Sequence, residues 1–211
     1  ATADGLTRAE QWRATLSDGL VVASAAIADV DLDGQMEVAI GTWGEHTGAP
    51  NGYVYVFDGR TGAREWSSQS LGGTFLRLEL LRVANLDGDP QPEILVGHPQ
   101  SMLWILDRAA GSAQRFSTPD LTAIDVADID RDGTMDVVGG TRNGDLVVLN
   151  RATLQVERTI GRFGSQIEAV RAFDFNGGAR EFVMARGEEV IISDANGCIL
   201  WRTGHISTAY G

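Results

Sequence analysis

One nine-residue pattern returns along this chain and limits what it can fold into. Asp29-Val-Asp31-Leu-Asp33-Gly34-Gln-Met-Glu37 places carboxylates at the first, third, fifth and ninth positions, with a glycine at the sixth for a sharp turn. Several carboxylate oxygens brought to one point are what a hard cation such as calcium requires. The spacing returns at Asn85, Asp87, Asp89 and Glu93, and again, with Gly133, at Asp128, Asp130, Asp132 and Asp136. An EF-hand does not fit, because that loop runs about twelve residues to its last ligand and opens into a helix. Here the ninth position leads into Val-Ala-Ile-Gly, Ile-Leu-Val-Gly or Val-Val-Gly-Gly, short apolar runs that read as strands. The loops therefore join strand to strand.

A second marker sets the period. The turn Asp58-Gly-Arg-Thr61-Gly62 follows the strand-like run Tyr53–Phe57 and precedes Trp66, and related turns begin at residues 4, 107, 150 and 194. The steps from 4 through 58, 107 and 150 to 194 are 54, 49, 43 and 44 residues. A repeat of that length with four short strands per unit predicts an all-β fold, a β-propeller of four complete four-stranded antiparallel blades. Blade one is expected over 18–70, blade two over 71–118, blade three over 119–161 and blade four over 162–204. Residues 1–17 read as the last strand of a preceding blade, and 205–211 as the start of a further one. The four blades are thus expected to be an excerpt of a ring of about six to eight, completed by the rest of a longer chain or by a second copy.

Composition narrows the function classes. Net charge is −12, and 11 of the 29 acids sit in the three loops, so three divalent cations would halve it. Nucleic acid is an unsuitable partner, since phosphate binding needs a basic face. No apolar run approaches the roughly 18 residues of a spanning helix, so no membrane insertion is expected. Cys198 is the only cysteine, and its apolar neighbours Ile199, Leu200 and Trp201 predict a buried thiol. The acids stand at metal-loop spacing, and no Gly-x-Ser-x-Gly, Walker loop, HExxH or His/Cys zinc spacing occurs, so no catalytic residue is assigned.

The Asp-x-Asp-x-Asp-Gly-x-x-Asp/Glu loop, the strand ends Ala39-Ile-Gly and Val138-Gly-Gly, and Gly48-Ala-Pro50 ahead of Gly52-Tyr-Val-Tyr-Val-Phe57 resemble FG-GAP (VCBS-type) repeats. Those are the calcium-binding propeller blades of integrin α-subunit heads and of many secreted microbial proteins. The resemblance implies Ca2+ held by Asp29, Asp31, Asp33 and Glu37 with the Gln35 carbonyl, and by Asp128, Asp130, Asp132 and Asp136 with the Thr134 carbonyl. The second loop departs from it: Asn85 replaces the first acid, Gly88 comes two positions early, and Pro90 and Pro92 flank the carbonyl donor Gln91. Weaker binding is expected there. Blade four lacks the third acid and its Glu181 arrives one residue early, so its loop is expected to be empty. Asp58-x-x-Thr61-Gly62-x-x-x-Trp66 is also similar to the tryptophan-docking motif of quinoprotein (PQQ-type) propellers, which implies that Trp12, Trp66 and Trp201 pack between blades.

Strands of a meander run alternately up and down, so the metal loops and the Asp-Gly-x-Thr-Gly turns share one face. The longest insertion, Thr42 to Asn51 with Trp43, Glu45 and His46, stands on the other, where an exposed Trp would anchor a protein or carbohydrate ligand. The expected function is a calcium-stabilised noncatalytic recognition, adhesion or scaffold module, extracellular, at the cell surface or periplasmic. The alternative is the propeller domain of a secreted calcium-dependent polysaccharide lyase or another carbohydrate-active enzyme.

Overall fold

The computed structural model describes residues 2–3, 10–16, 20–44, 52–71, 80–98, 102–108, 110–175, 177–178 and 180–203. Among them there is no helix. The strands are β1 (Thr2–Ala3) and β2 (Glu10–Trp12), then β3 (Leu20–Ala28), β4 (Glu37–Gly44), β5 (Val54–Asp58) and β6 (Arg64–Ser67) in blade one. Blade two has β7 (Leu80–Ala84), β8 (Glu93–His98), β9 (Met102–Asp107) and β10 (Ser112–Ser117). Blade three has β11 (Leu121–Ala127), β12 (Asp136–Thr141), β13 (Asp145–Leu149) and β14 (Val156–Arg162). Blade four has β15 (Ala169–Phe173), β16 (Glu181–Arg186), β17 (Glu189–Ser193) and β18 (Ile199–Arg202). Each blade is a four-stranded sheet whose strands neighbour one another in chain order, and the fold is an all-β propeller of four such blades.

The chain divides into two compact units. One comprises Ala1–Val83, Asp89–His98 and Trp104–Gln114, the other Ala84–Gly88, Pro99–Leu103 and Arg115–Gly211. In the second unit, blades three and four share a core of Val138, Leu146, Val148, Ile167, Val170 and Phe182 with further apolar side chains. Burying each such side chain stabilises by about 1.5–3 kcal/mol. The middle strands are covered on both faces, which is why Val54–Phe57 and Leu146–Leu149 are continuous apolar runs rather than alternating ones. Gly140 ends such a run because Ile167 lies against it; a Cβ there would stand 2.6 Å from Ile167 Cγ2.

The third and fourth strands carry a bulge at one recurring place. Val56 pairs with Trp66 and Phe57 with Arg64; Val148 pairs with Arg158 and Leu149 with Val156; Ile192 pairs with Trp201 and Ser193 with Ile199. The extra residue turns the outer strand at that point and makes Trp66, Arg158 and Trp201 equivalent positions.

Two expectations need correction. Trp43 was placed in a loop, but β4 extends to Gly44 and pairs Trp43 with Val21, because the strand continues past Thr42. Cys198 is exposed, since it sits at the start of an outer strand whose residues Ile199 to Arg202 are all exposed. Within residues 1–17, read as the last strand of a preceding blade, β2 pairs antiparallel with β1. Glu45 and His46 lie outside the described residues.

Candidate metal loops

The two loops with full acid complements close on themselves by the same hydrogen bonds. Asp29 Oδ2 accepts from Gly34 N at 3.0 Å, and Asp128 Oδ2 accepts from Gly133 N at 3.2 Å. Asp31 Oδ1 accepts from Asp33 N, and Asp130 Oδ1 from Asp132 N. Asp33 Oδ1 accepts from Gln35 N, and Asp132 Oδ1 from Thr134 N, each at 2.7 Å. The ninth position reaches back to the second: Glu37 Oε2 accepts from Val30 N at 2.6 Å, and Asp136 Oδ2 from Ile129 N at 3.0 Å. These bonds turn the carboxylates toward the loop interior.

What converges there is a set of acids. One ligand oxygen from each of Asp29, Asp31 and Asp33 lies within 4.8 Å of the others, and the same holds for Asp128, Asp130 and Asp136 and for Asp87, Asp89 and Glu93. Glu37 and Asp132 are not in those converging sets. Glu37 anchors Val30, and Asp132 accepts from both the backbone N and the hydroxyl of Thr134. Two further atoms matter most. Asp29 Oδ1 and Asp128 Oδ1 are buried and have no hydrogen-bond partner. A buried acceptor left unpaired costs about 1–3 kcal/mol, more when charged, so each first-position carboxylate aims an uncompensated oxygen into its loop. A divalent cation would supply such a partner.

Burial pushes the carboxyls of Glu37 and Asp136 above the ordinary range, the Val30 and Ile129 amides act against the shift, and the neighbouring loop aspartates add to it. Asp132 is held low by its hydrogen bonds from Thr134.

The backbone also explains the second loop. At the fourth position Leu32 has φ 64° and Arg131 φ 65°, a left-handed conformation that costs a side chain strain. In the second loop that position is Gly88, with φ 88°, so the glycine that looked misplaced fills a site the other loops fill under strain. Pro90 then occupies the sixth position, where Gly34 and Gly133 have φ 87° and 88° and proline's ring forbids that conformation. Asn85 Oδ1 accepts from Gly88 N at 2.7 Å, and Asp89 Oδ1 from Gln91 N, giving a differently shaped turn around the same three acids.

Blade four uses another solution. Asp174 Oδ1 accepts from Gly177 N, and Glu181 Oε2 accepts from Phe175 N at 3.1 Å, the same ninth-to-second anchor displaced by one residue. Arg131 of blade three reaches across, donating to Asp174 Oδ2 and to Gly177 O at 3.2 Å. Arg180 donates in return to Asp128 O at 3.0 Å. A guanidinium therefore partners the blade-four acid. Sequence reading missed this pair; the signal was a cation at the fourth position of loop three beside a loop that had lost an acid.

The Asp58 turn packs against the loop of its own blade. Gly59 N donates to Met36 O at 3.0 Å, while Asp58 Oδ1 accepts from the Thr61 hydroxyl at 2.6 Å, which holds the Asp58 carboxyl low. The Asn150 turn closes in the same way, with Asn150 Oδ1 accepting from Ala152 N, Thr153 N and the Thr153 hydroxyl. Of Trp43, Glu45 and His46 on the opposite face, only the backbone of Trp43, in β4, is described.

No protein-family profile and no curated protein matches the chain. Solved propeller structures do. BBS1N in complex with ARL6DN superposes with a TM-score of 0.62 at 15% identity, over 87% of this chain and 57% of that one. The V. cholerae biofilm matrix protein Bap1 gives 0.61 at 19% identity, over 95% of this chain and 32% of its own. Saccharomyces cerevisiae Sqt1 gives 0.61 at 10% identity, over 86% and 48%. The chain thus spans between about a third and little more than half of the structures it matches. At these identities the likeness shows the fold.

Proposed function

We propose that this chain is part of a calcium-stabilised, noncatalytic recognition or scaffold propeller that works outside the cytosol, with blades of the FG-GAP type. The observation that carries the reading is the pair of buried, unpartnered oxygens, Asp29 Oδ1 and Asp128 Oδ1, at the same position of two loops. Two blades repeat one hydrogen-bonded loop, and a cation among its converging acids would give each of these oxygens a partner. Asp29, Asp31 and Asp33 would hold one Ca2+, and Asp128, Asp130 and Asp136 another, with the carbonyls of Gln35 and Thr134 as further donors. Asp87, Asp89 and Glu93 would hold a third more weakly. Millimolar calcium outside cells fills even moderate sites, and each site stabilises the fold by about 2.7 kcal/mol at a hundredfold excess over Kd.

The neighbours support the recognition half of the reading: one was crystallised in complex with ARL6DN, and another is a biofilm matrix protein. A protein or carbohydrate ligand is assigned to the face opposite the calcium loops, around Trp43, Glu45 and His46. Calcium titration by calorimetry tests the metal sites. Two tight sites and one weaker site are expected, with the tight ones removed separately by Asp29→Ala and Asp128→Ala. No heat and no bound calcium at millimolar concentration would overturn the reading.

A further inference from the structure

The bulge between the third and fourth strands leaves one residue of the outer strand unpaired, and in two blades that residue is a glutamate. Glu65 lies between Arg64 and Trp66, which pair with Phe57 and Val56; Glu157 lies between Val156 and Arg158, which pair with Leu149 and Val148. In blade four the same place holds Leu200, between Ile199 and Trp201. Glu65 and Glu157 stand seven residues beyond Asp58 and Asn150, the first residues of their turns, and Gln114 stands seven beyond Asp107 in blade two. The residue chosen follows the loop. A glutamate accompanies each loop with a full acid complement, an amide accompanies the altered loop, and a leucine accompanies the loop whose acid is paired with Arg131.

Both glutamates face the loop of their own blade. In blade three a cavity of about 410 Å3 is lined by Asp130, Asp136, Val148, Glu157 and Arg158, so the bulge glutamate shares it with two of the three converging acids. Arg158, on the same wall, donates to Ala195 O of blade four. In blade one desolvation pushes the Glu65 carboxyl above the ordinary range, and the charges of Asp31 and Glu37 add to the shift. Those are the third and ninth loop positions, the same two that line the cavity in blade three.

Calcium takes about six to eight oxygens. In the reading above, Asp128, Asp130 and Asp136 with the Thr134 carbonyl leave positions for water, and the cavity has room for it. Glu65 and Glu157 are not in the converging sets, so each would act across that water. A carboxylate accepts hydrogen bonds from water polarised by a dication, and outer contacts of this kind change metal affinity by about 10–100-fold.

We propose that Glu65 and Glu157 are outer ligands of the blade-one and blade-three cations. Each accepts from waters on the cation of its own blade and ties the fourth strand to the loop between the first two. The proposal rests on the calcium reading of the loops and adds to it a residue from a different strand.

The test is calcium titration of the full native polypeptide by calorimetry, one tight site at a time. With Asp29→Ala the remaining tight site is loop three, and adding Glu157→Gln should raise its Kd about tenfold. With Asp128→Ala the remaining site is loop one, and adding Glu65→Gln should do the same there. The crossed pairs, Glu65→Gln with Asp29→Ala and Glu157→Gln with Asp128→Ala, should leave Kd where it was. Unchanged Kd in the matched pairs, or equal weakening in matched and crossed pairs, would overturn the proposal, the second outcome assigning the effect to net charge alone. Melting in chelator separates a structural role: Glu157→Gln should melt no lower than its parent there, and an equal fall in Tm with and without calcium would also overturn it. A parent that binds calcium while the matched variants match it sinks this inference and leaves the calcium reading standing; a parent that binds none sinks both.

Discussion

Asp128→Asn separates a metal ligand from a structural hydrogen-bond acceptor. The Asn side-chain oxygen keeps the bond from Gly133 N, while an amide nitrogen replaces the buried, unpartnered Oδ1. Without calcium the substitution relieves two strains, since the amide N–H groups that replace Oδ1 find acceptors in the neighbouring Asp130 and Asp136 carboxylates. An unpaired buried acceptor costs about 1–3 kcal/mol. Repulsion between carboxylates within 4.8 Å of one another, here with Asp130 and Asp136, adds about 1 kcal/mol per pair even at the dielectric of water. The calcium-free variant should therefore be more stable than its parent by about 3–5 kcal/mol, which raises Tm by roughly 6–20 °C in a chain of this length. With saturating calcium the sign reverses, because the variant has lost one anionic ligand. Differential scanning calorimetry of both proteins, in chelator and in calcium, reads the crossing directly. A variant that melts with its parent in both buffers would show that Asp128 is an acceptor for Gly133 and nothing more.

A pH experiment uses the raised carboxyls of Glu37 and Asp136. Their folded pKa lies above the unfolded one, so the stability they contribute is present below the ordinary carboxylate range and lost as pH rises through it. In chelator, Glu37→Gln should match its parent near pH 4 and gain on it by pH 7; a Tm difference that does not change with pH would contradict the shift. The lowered pKa values of Asp58 and Asp132 act in the opposite direction but are common to both proteins. Arg131→Ala should cost no more than about 1 kcal/mol, since its pair with Asp174 is partly exposed, yet should speed amide exchange at Gly177; unchanged exchange there would remove the guanidinium as the loop's partner. Trp43→Ala should weaken binding at least tenfold to whichever feature of a glycan or protein array the parent recognises, and full retention would remove this face from consideration.

The fold was legible because its causes are local. Inner strands buried on both faces must be continuous apolar runs, and Val54–Phe57 and Leu146–Leu149 read that way before any coordinates. The acid spacing was equally plain, and the structure brings Asp29, Asp31 and Asp33 together without help from distant residues. What could not be read depends on backbone conformation or on neighbours across a blade. Left-handed residues at Leu32 and Arg131 carry no sequence mark, so Gly88 looked like an error when it occupies their position. Asn150 looked like a weak turn residue, but a side-chain amide oxygen accepts the Thr153 bonds as a carboxylate does. Trp201 and Cys198 sit in an apolar run that resembles core, yet both are exposed on or beside the outer strand β18. Arg131 is one more charged residue in the sequence until blade four places Asp174 against it.

Whether the acidic loops are metal sites is tested most directly by thermal melting of the native protein in excess chelator against millimolar calcium. Two filled sites at a hundredfold excess over Kd are worth about 5 kcal/mol, so calcium should raise Tm by roughly 10–20 °C, with magnesium giving far less. Superimposable melting curves in chelator and in calcium would mean that the carboxylates of Asp29 and Asp128 hold the loops by hydrogen bonds alone.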